Sequence, residues 1–437
     1  MRKLLLLPAT LALILLAAPG ASAASAYREG EVLVKYRDGA SASERAAVER
    51  DSGTDTDERL PGGSRQLQIE DGDSVSETVA ELRQDPDVAY AVPNYVAHAS
   101  AFYPNDPGFR LQWNFREATA FGIDMPNAWE IASQRGAPGG RGAVVAVLDT
   151  GVAYRTVRRR FRKAPDLGRF VPGYDFVSDD RYPFDMNGHG THVAGTIAQV
   201  TNNRSATAGI AYGARIMPLR VLDSAGAGDT VAIARAIRFA AKRRVDVINL
   251  SLEFDWTVRG RQIPDIVSAL RYARRRGVTV VGAAGNQAGA AVAFPAREPS
   301  VIAVAGTTAT GCEAEYSNAG AEVDVAAPGG GTDAPNEDNP WDLAHCRPDV
   351  RGRFIYQQTF TRNLRRFGLP GGYEGTSMSA PHVAGIAALI IATRRLGPRP
   401  SPVAVEEHLE RTAQDLGPTG FDTRYGYGLV NAAAALR

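Results

Sequence analysis

Six short apolar runs in the later part of this 437-residue chain constrain its fold more than any other feature. They occupy 143–148, 215–221, 245–250, 278–282, 301–305 and 323–326. Each is rich in Val, Ile, Leu or Ala and too short for a helix, as expected for parallel strands buried on both faces. Helical stretches separate or follow them. One, at 229–243, follows a Gly-rich turn, and one at 263–276 stops at Gly277, a natural C-cap. Others run over 377–395 and 401–412, the last with Pro402 in its first turn. Strand and helix in alternation are the sequence form of βαβ units. Residues 101–437 therefore predict an α/β domain: an open, mostly parallel sheet with helices on both faces. There is no internal repeat and no low-complexity tail.

The start of the chain reads differently. Arg2 and Lys3 precede an apolar stretch at 4–18, interrupted by Pro8. Pro19-Gly20 breaks it, and Ala21-Ser22-Ala23 or Ala24-Ser25-Ala26 offers a small-residue cleavage point. Residues 1–26 thus read as a secretory signal peptide. An uncleaved anchor is the alternative, but the stretch falls short of the ~20 apolar residues a spanning helix needs. Residues 27–100 predict a small α+β unit. Strands are expected at 31–36, 67–69 and 87–92, and serine-led helices at 43–50 and from Ser74 to about 83. The order has a β-α-β-β-α-β, ferredoxin-like character.

The net charge of +1 argues against nucleic acid as a main partner. The basic run at 155–163 reads as a solvated loop. Two cysteines occur, Cys312 and Cys346. In an exported chain such a pair favours a disulfide over two free thiols.

Three islands carry chemistry: Asp149-Thr150-Gly151, His189-Gly190-Thr191-His192 and Gly375-Thr376-Ser377-Met378-Ser379. Asp149 ends a strand, which in an open parallel sheet places it at the rim where sites form. Alone it could be a turn aspartate, or half of an aspartic peptidase; no second D-T-G follows. His189 lies between glycines just before a helical run at 191–200. His189 and His192 could suggest a metal pair, but the i, i+4 spacing and intervening Glu of a zinc helix are missing. His192 reads as structural. Ser377 opens a helix, where an isolated serine is usually a cap.

Together the islands resemble the subtilase family of serine peptidases, through H-G-T-H-V-A-G from His189 and G-T-S-M-S-A-P-H-V-A-G from Gly375. The chain order Asp, His, Ser is that of subtilisin. The resemblance runs from about Trp113 to the C-terminus, with a weaker match before it. It implies Asp149, His189 and Ser377 as orienter, general base and nucleophile. It identifies Asn286, in Gly282-Ala283-Ala284-Gly285-Asn286, as oxyanion donor beside the Ser377 N–H. It implies a substrate cleft walled by Ser251 and Leu252 on one side and the segment ending at Gly228 on the other, with Gly285 nearby. It implies polypeptide substrates and no cofactor for the reaction. The 27–100 unit looks like the inhibitory propeptide of secreted subtilases, with self-cleavage between Ala97 and Tyr103. The expected product is a secreted endopeptidase, extracellular or periplasmic, without stable membrane insertion. The near-neutral charge and the lack of a partner motif point to a monomer.

The pattern also departs from the family. Glu253-Phe254 stands where members often have Gly-Gly. Glu253 or Asp255 could therefore favour basic substrate positions, or both could point to solvent. Ser379 is a milder departure. Segments at about 154–169 and 329–369 look inserted and could edge the cleft. Calcium is common in the family as a structural ion. Asp106, Asp179, Asp180 and Asp185 are candidates, with no complete ligand pattern. Two rival functions fit less well. A serine esterase would show G-x-S-x-G and the order Ser, acid, His. A non-catalytic binding protein on a peptidase scaffold would usually lack one of the four catalytic groups, and all four are present.

Overall fold

The computed structural model describes residues 27–95, 101–116, 118, 121–335 and 344–437. The signal-like start at 1–26 and the segment at 96–100 lie outside these residues, as do residues 336–343 of the second inserted segment. The chain divides into two compact units, Met1–Ala99 and Ser100–Arg437.

In the first unit the elements are β1 (Tyr27–Tyr36), α1 (Ala42–Asp51), β2 (Thr54–Arg59), β3 (Ser64–Ile69), α2 (Val75–Leu82) and β4 (Val88–Tyr95). Their sheet has the antiparallel order β2-β3-β1-β4, the ferredoxin-like arrangement. Both helices start in capping boxes, Ser41 with Glu44 and Ser74 with Glu77. Val32, Val34, Leu67, Val79, Leu82 and Ala91 form the core. β2 supplies the fourth strand that the pattern requires. Its sequence, TDTDER, has no apolar alternation, so periodicity could not reveal it.

In the second unit the elements begin with α3 (Met125–Gln134), β5 (Val144–Asp149), β6 (Tyr174–Asp175), α4 (His189–Ala198) and β7 (Arg215–Arg220). They continue with α5 (Thr230–Lys242), β8 (Val247–Leu250), α6 (Pro264–Arg275), β9 (Thr279–Ala283), β10 (Ile302–Thr307) and β11 (Val325–Pro328). After a short hairpin, β12 (Thr359–Phe360) and β13 (Phe367–Gly368), come α7 (Thr376–Ala392), α8 (Pro402–Arg411) and α9 (Ala432–Leu436). The sheet order is β11-β10-β9-β8-β5-β7-β6, parallel at every pairing.

β5 shows how one run serves two cores. Val145 and Val147 face the cluster built with α3, α4, α7 and α8, while Ala146 and Leu148 face the one built with α5 and α6. The period of two sends alternate side chains to opposite faces, and both faces are apolar because both carry helices. The expected strands and helices are all present. α3, β6 and α9 were not expected. The last few residues close the fold: Val430 N–H donates to Ala326 O at 3.0 Å, and Ala432 N–H to Ile123 O at 2.8 Å.

Strand order reverses around β5. β7 and β6 lie on one side of it, and β8 to β11 on the other. Open α/β sheets form their crevice at such a switch, beyond the strand carboxyl ends. Asp149 is the last residue of β5.

Candidate active site

Asp149 stands at a strand end, as expected, but it is wholly buried and not at a rim. Its Oδ1 accepts from Thr150 N–H at 2.7 Å and meets His189 Nδ1 at 2.8 Å. His189 is itself the first residue of α4, two positions earlier than the sequence suggested. Gly190 allows this close approach of helix to strand. A Cβ there would lie 2.1 Å from Gly151 O and 3.0 Å from Asp149 Cβ. The His189 side chain remains 25 % exposed, so one edge of the ring is open to the cleft. Burial works to lower its pKa, but the charge and hydrogen bond of Asp149 together outweigh it and hold the imidazole above its ordinary value.

Asp185 ties these two elements together. Its carboxylate accepts from Thr150 Oγ1, the N–H groups of Asn187, Gly188 and Thr191, and Thr191 Oγ1. Thr150 Oγ1 in turn accepts from Gly190 N–H at 3.0 Å. Four positions of the calcium proposal resolve differently from one another. Asp185 is filled by protein donors. Asp179 pairs with Arg235 at the surface, and Asp180 accepts from Tyr182 N–H. These three do not fit a calcium site. Asp106 sits elsewhere, accepting from the N–H groups of Asn202 and Asn203. Asn203 links it to a second buried carboxylate, Asp166, through Nδ2 at 2.6 Å. Burial pushes Asp166 up to about 6, with Asp106 adding to the effect. Both oxygens of Asp106 and of Asp166 also meet protein donors, Asp166 through Asn203 Nδ2 and Gln199 Nε2, so these acids fit a calcium site no better than Asp185.

Ser377 is the second residue of α7, whose N-cap is Gly375 at φ 133. It is therefore not the cap. Its hydroxyl donates to Ser251 O at 3.3 Å, and Ser251 Oγ returns a bond to Ser377 O at 2.8 Å. The Ser377 N–H lies in the first helical turn, where no intrahelical acceptor exists. Asn286 follows β9 and is fixed from the same turn. Its Oδ1 accepts from Thr376 N–H at 2.7 Å and Thr376 Oγ1 at 3.0 Å. Thr376 Oγ1 also accepts from Gly285 N–H at 3.1 Å. With Oδ1 held there, the Asn286 Nδ2 donor is turned away from Thr376.

His189, Gly228, Ser251, Leu252, Glu253 and Ser377 line one cleft of about 410 Å³, together with Thr150, Asn187, Leu222 and Phe254. Gly285 stands behind it with φ 119, and a Cβ there would lie 2.8 Å from Glu253 Oε2. Glu253 does not point to solvent. Its Oε2 accepts from Asn286 N–H at 2.8 Å, and its Oε1 from Gln287 Nε2 at 3.0 Å and Asn286 Nδ2 at 3.4 Å. Burial raises its pKa. Asp255 is different: it closes on its own turn, accepting from Thr257 N–H and Oγ1.

His192 is buried, stacked on Tyr373 with ring centroids 4.0 Å apart, and bonded through Nε2 to Ile355 O. Burial first, and then His189, push it down to about 3. It stays neutral and packs α4 against the second inserted segment. The part of that segment around 355–360 packs on α4 and its neighbours, where Thr359 Oγ1 donates to Gly188 O and Gln357 Nε2 to Ala208 O; none of its described residues is among those lining the cleft. Cys312 and Cys346 are joined in a buried disulfide that tethers it. The roles of Thr376 and Asp185 were not apparent in the sequence, because each depends on contacts between distant segments.

Comparison with known proteins agrees in fold and family. A model of the subtilase family, Peptidase_S8, matches residues 140–428, and a fervidolysin N-terminal prodomain model matches residues 17–94. A thermophilic serine proteinase of Bacillus sp. (strain AK1) is 33% identical over 415 residues, covering 94% of this chain and 88% of that protein. Thermitase of Thermoactinomyces vulgaris is 36% identical over 337 residues, 77% of this chain and 100% of the relative. A solved structure of proteases from Pseudoalteromonas arctica PAMC 21717 superposes with TM-score 0.61 at 34% identity, covering 76% of this chain and 98% of that one.

Proposed function

This chain belongs to the subtilase family of serine peptidases and carries an N-terminal prodomain; from that premise we propose that it is a secreted, self-processing endopeptidase acting through Asp149, His189 and Ser377. The observation that carries the reading is the 2.8 Å contact of buried Asp149 Oδ1 with His189 Nδ1, at the edge of the cleft that also holds Ser377.

In the reaction, rotation about Cα–Cβ takes the Ser377 hydroxyl from Ser251 O toward His189 Nε2. His189 removes its proton as Oγ attacks the peptide carbonyl, and Asp149 stabilises the imidazolium. Asn286 Nδ2 and the Ser377 N–H donate to the oxyanion. His189 then protonates the leaving amine, and water, deprotonated by the same imidazole, releases the acyl group. The chain's own groups perform each step. A calcium ion would serve as a structural tie outside the reaction, with no ligand set assigned to it; chelation should lower the melting temperature of the protein without touching the cleft.

Export is supported by the signal-like start and by the disulfide. No helix among the described residues is long and apolar enough to cross a membrane. The prodomain supports a zymogen whose own N-terminal unit inhibits it until cleavage between Ala97 and Tyr103. A monomer with polypeptide substrates completes the reading. Labelling with a fluorophosphonate probe, with intact mass read on the same samples, tests it. Wild type should be labelled and shortened, and Ser377→Ala unlabelled and full length. Equal labelling of both, or no labelling of mature wild type, would overturn the assignment. N-terminal sequencing of the mature form should begin within the stated window.

A further inference from the structure

We propose that Glu253 selects a lysine or arginine immediately before the scissile bond, and that such a residue switches on the oxyanion hole by drawing the Glu253 carboxylate off Asn286. This rests on the peptidase reading above and names the substrate class of that site.

The argument starts from position. The carbonyl under attack must lie between Ser377 Oγ and Asn286 Nδ2. The side chain of the same residue therefore projects within a few ångströms of both. Glu253 is bonded to Asn286 and lines the cleft that holds Ser377. An acid in that place meets the side chain preceding the cut. Asp255 does not compete for the role, because it is exposed and closed on Thr257.

The second step concerns charge. Glu253 has no cationic partner among the described residues. A partly buried carboxylate beside the oxyanion opposes the negative charge that builds up in the transition state. It also occupies the donor meant for that charge, since Asn286 Nδ2 points at Oε1. Both effects work against an apolar substrate. An ammonium or guanidinium group in the pocket removes both: it neutralises the carboxylate and competes for Oε1.

The two bonds to Asn286 differ in a way that permits this. Asn286 N–H holds Oε2 at 2.8 Å, whereas Nδ2 meets Oε1 at 3.4 Å. The longer contact yields first; a swing of Oε1 also gives up the Gln287 Nε2 bond at 3.0 Å, while the backbone bond of Asn286 N–H keeps Oε2 anchored to the 285–287 loop. Meanwhile Thr376 keeps Oδ1 in place, so the released Nδ2 is already aimed.

The test uses mature enzyme and peptide anilides identical except for the residue before the cut: lysine, arginine, norleucine or phenylalanine. Norleucine has the lysine chain without its charge. Active sites are counted by fluorophosphonate titration. Wild type should favour lysine over norleucine by about tenfold or more in kcat/KM, with part of the gain in kcat. Glu253→Gln should bring the ratio near one, lowering turnover of lysine and raising that of norleucine. A merely structural glutamate would scale all four substrates alike. A flat wild-type profile, or a preference that survives in Glu253→Gln, overturns the inference while titratable sites leave the peptidase reading intact. No titratable site in wild type overturns both. Should Glu253→Gln fail to titrate, wild-type inhibition by peptide aldehydes ending in argininal or norleucinal reads the same preference. Equal inhibition would count against the proposal.

Discussion

Thr376 gives both its backbone N–H and its hydroxyl to a single atom, Asn286 Oδ1. The amide of Asn286 is thereby held in one of its two flips, with Nδ2 outward. Thr376→Val should remove one of these bonds and leave Gly285 N–H without its acceptor. We expect kcat to fall by roughly ten- to a hundredfold with KM little changed, in line with a buried donor left unpaired. Asn286→Ala should lose more, about 10²–10³, the loss measured for the equivalent donor of a related subtilisin. Steady-state kinetics on titrated enzyme decides both; an effect confined to KM would contradict the arrangement.

The pH profile follows from His189. The general base must be neutral, and Asp149 holds its pKa above 6.5. Activity should therefore fall, as pH drops, through an acid limb centred above 6.5. The stability contribution has the opposite sense. It is fully present below the unfolded value near 6.5 and is lost as pH rises through the folded value, so the enzyme works where this contribution is absent. In Asp149→Asn the limb should move to lower pH, since burial is then opposed only by the charge of Asp185, and kcat should drop sharply. A wild-type limb at or below 6.5 would count against the Asp149–His189 pairing.

Asp185 should matter for folding more than for chemistry. In Asp185→Ala, the N–H groups of Asn187, Gly188 and Thr191 lose their buried acceptor. A loss of about 3 kcal/mol or more is expected. Denaturant unfolding in the inactive Ser377→Ala background avoids self-digestion. A change under about 1 kcal/mol would show that the bracket is dispensable.

The disulfide spans a sequence separation of 34. In the chain-entropy model a loop of this size stabilises by roughly 3–4 kcal/mol. Replacing both cysteines by serine should lower the melting temperature by several degrees, while intact mass on wild type should show no free thiol. Unchanged melting would mean that the unfolded chain is not restrained by the link.

Much of this architecture was legible because the runs that become β5 and β7 to β11 are apolar on both faces. The islands at 149, 189 and 377 also sit at element ends, where the fold brings them together. β2 escaped because an edge strand reading TDTDER buries a threonine and no apolar side chain, so it shows no hydrophobic alternation. α3 was missed although Asp124 and Pro126 mark its start; Asp124 enters it with φ 55 instead of the extended backbone of an ordinary N-cap. Asp185 looked like a cation ligand, since an acid's partners cannot be read from its neighbours in sequence. Glu253 was noticed as a departure, but its bond to Asn286 joins positions 33 residues apart and only the fold reveals it.

The order of these parts along the chain also sets a schedule. Asp149 and His189 emerge early, but Ser377 lies on α7 near the end, and residues 430–432 still have to bond to Ala326 and Ile123. During translation, which runs N-terminal first, every nascent chain short of α7 lacks the proposed nucleophile. The cell's interior is thus guarded twice, first by the timing of synthesis and only afterwards by the prodomain.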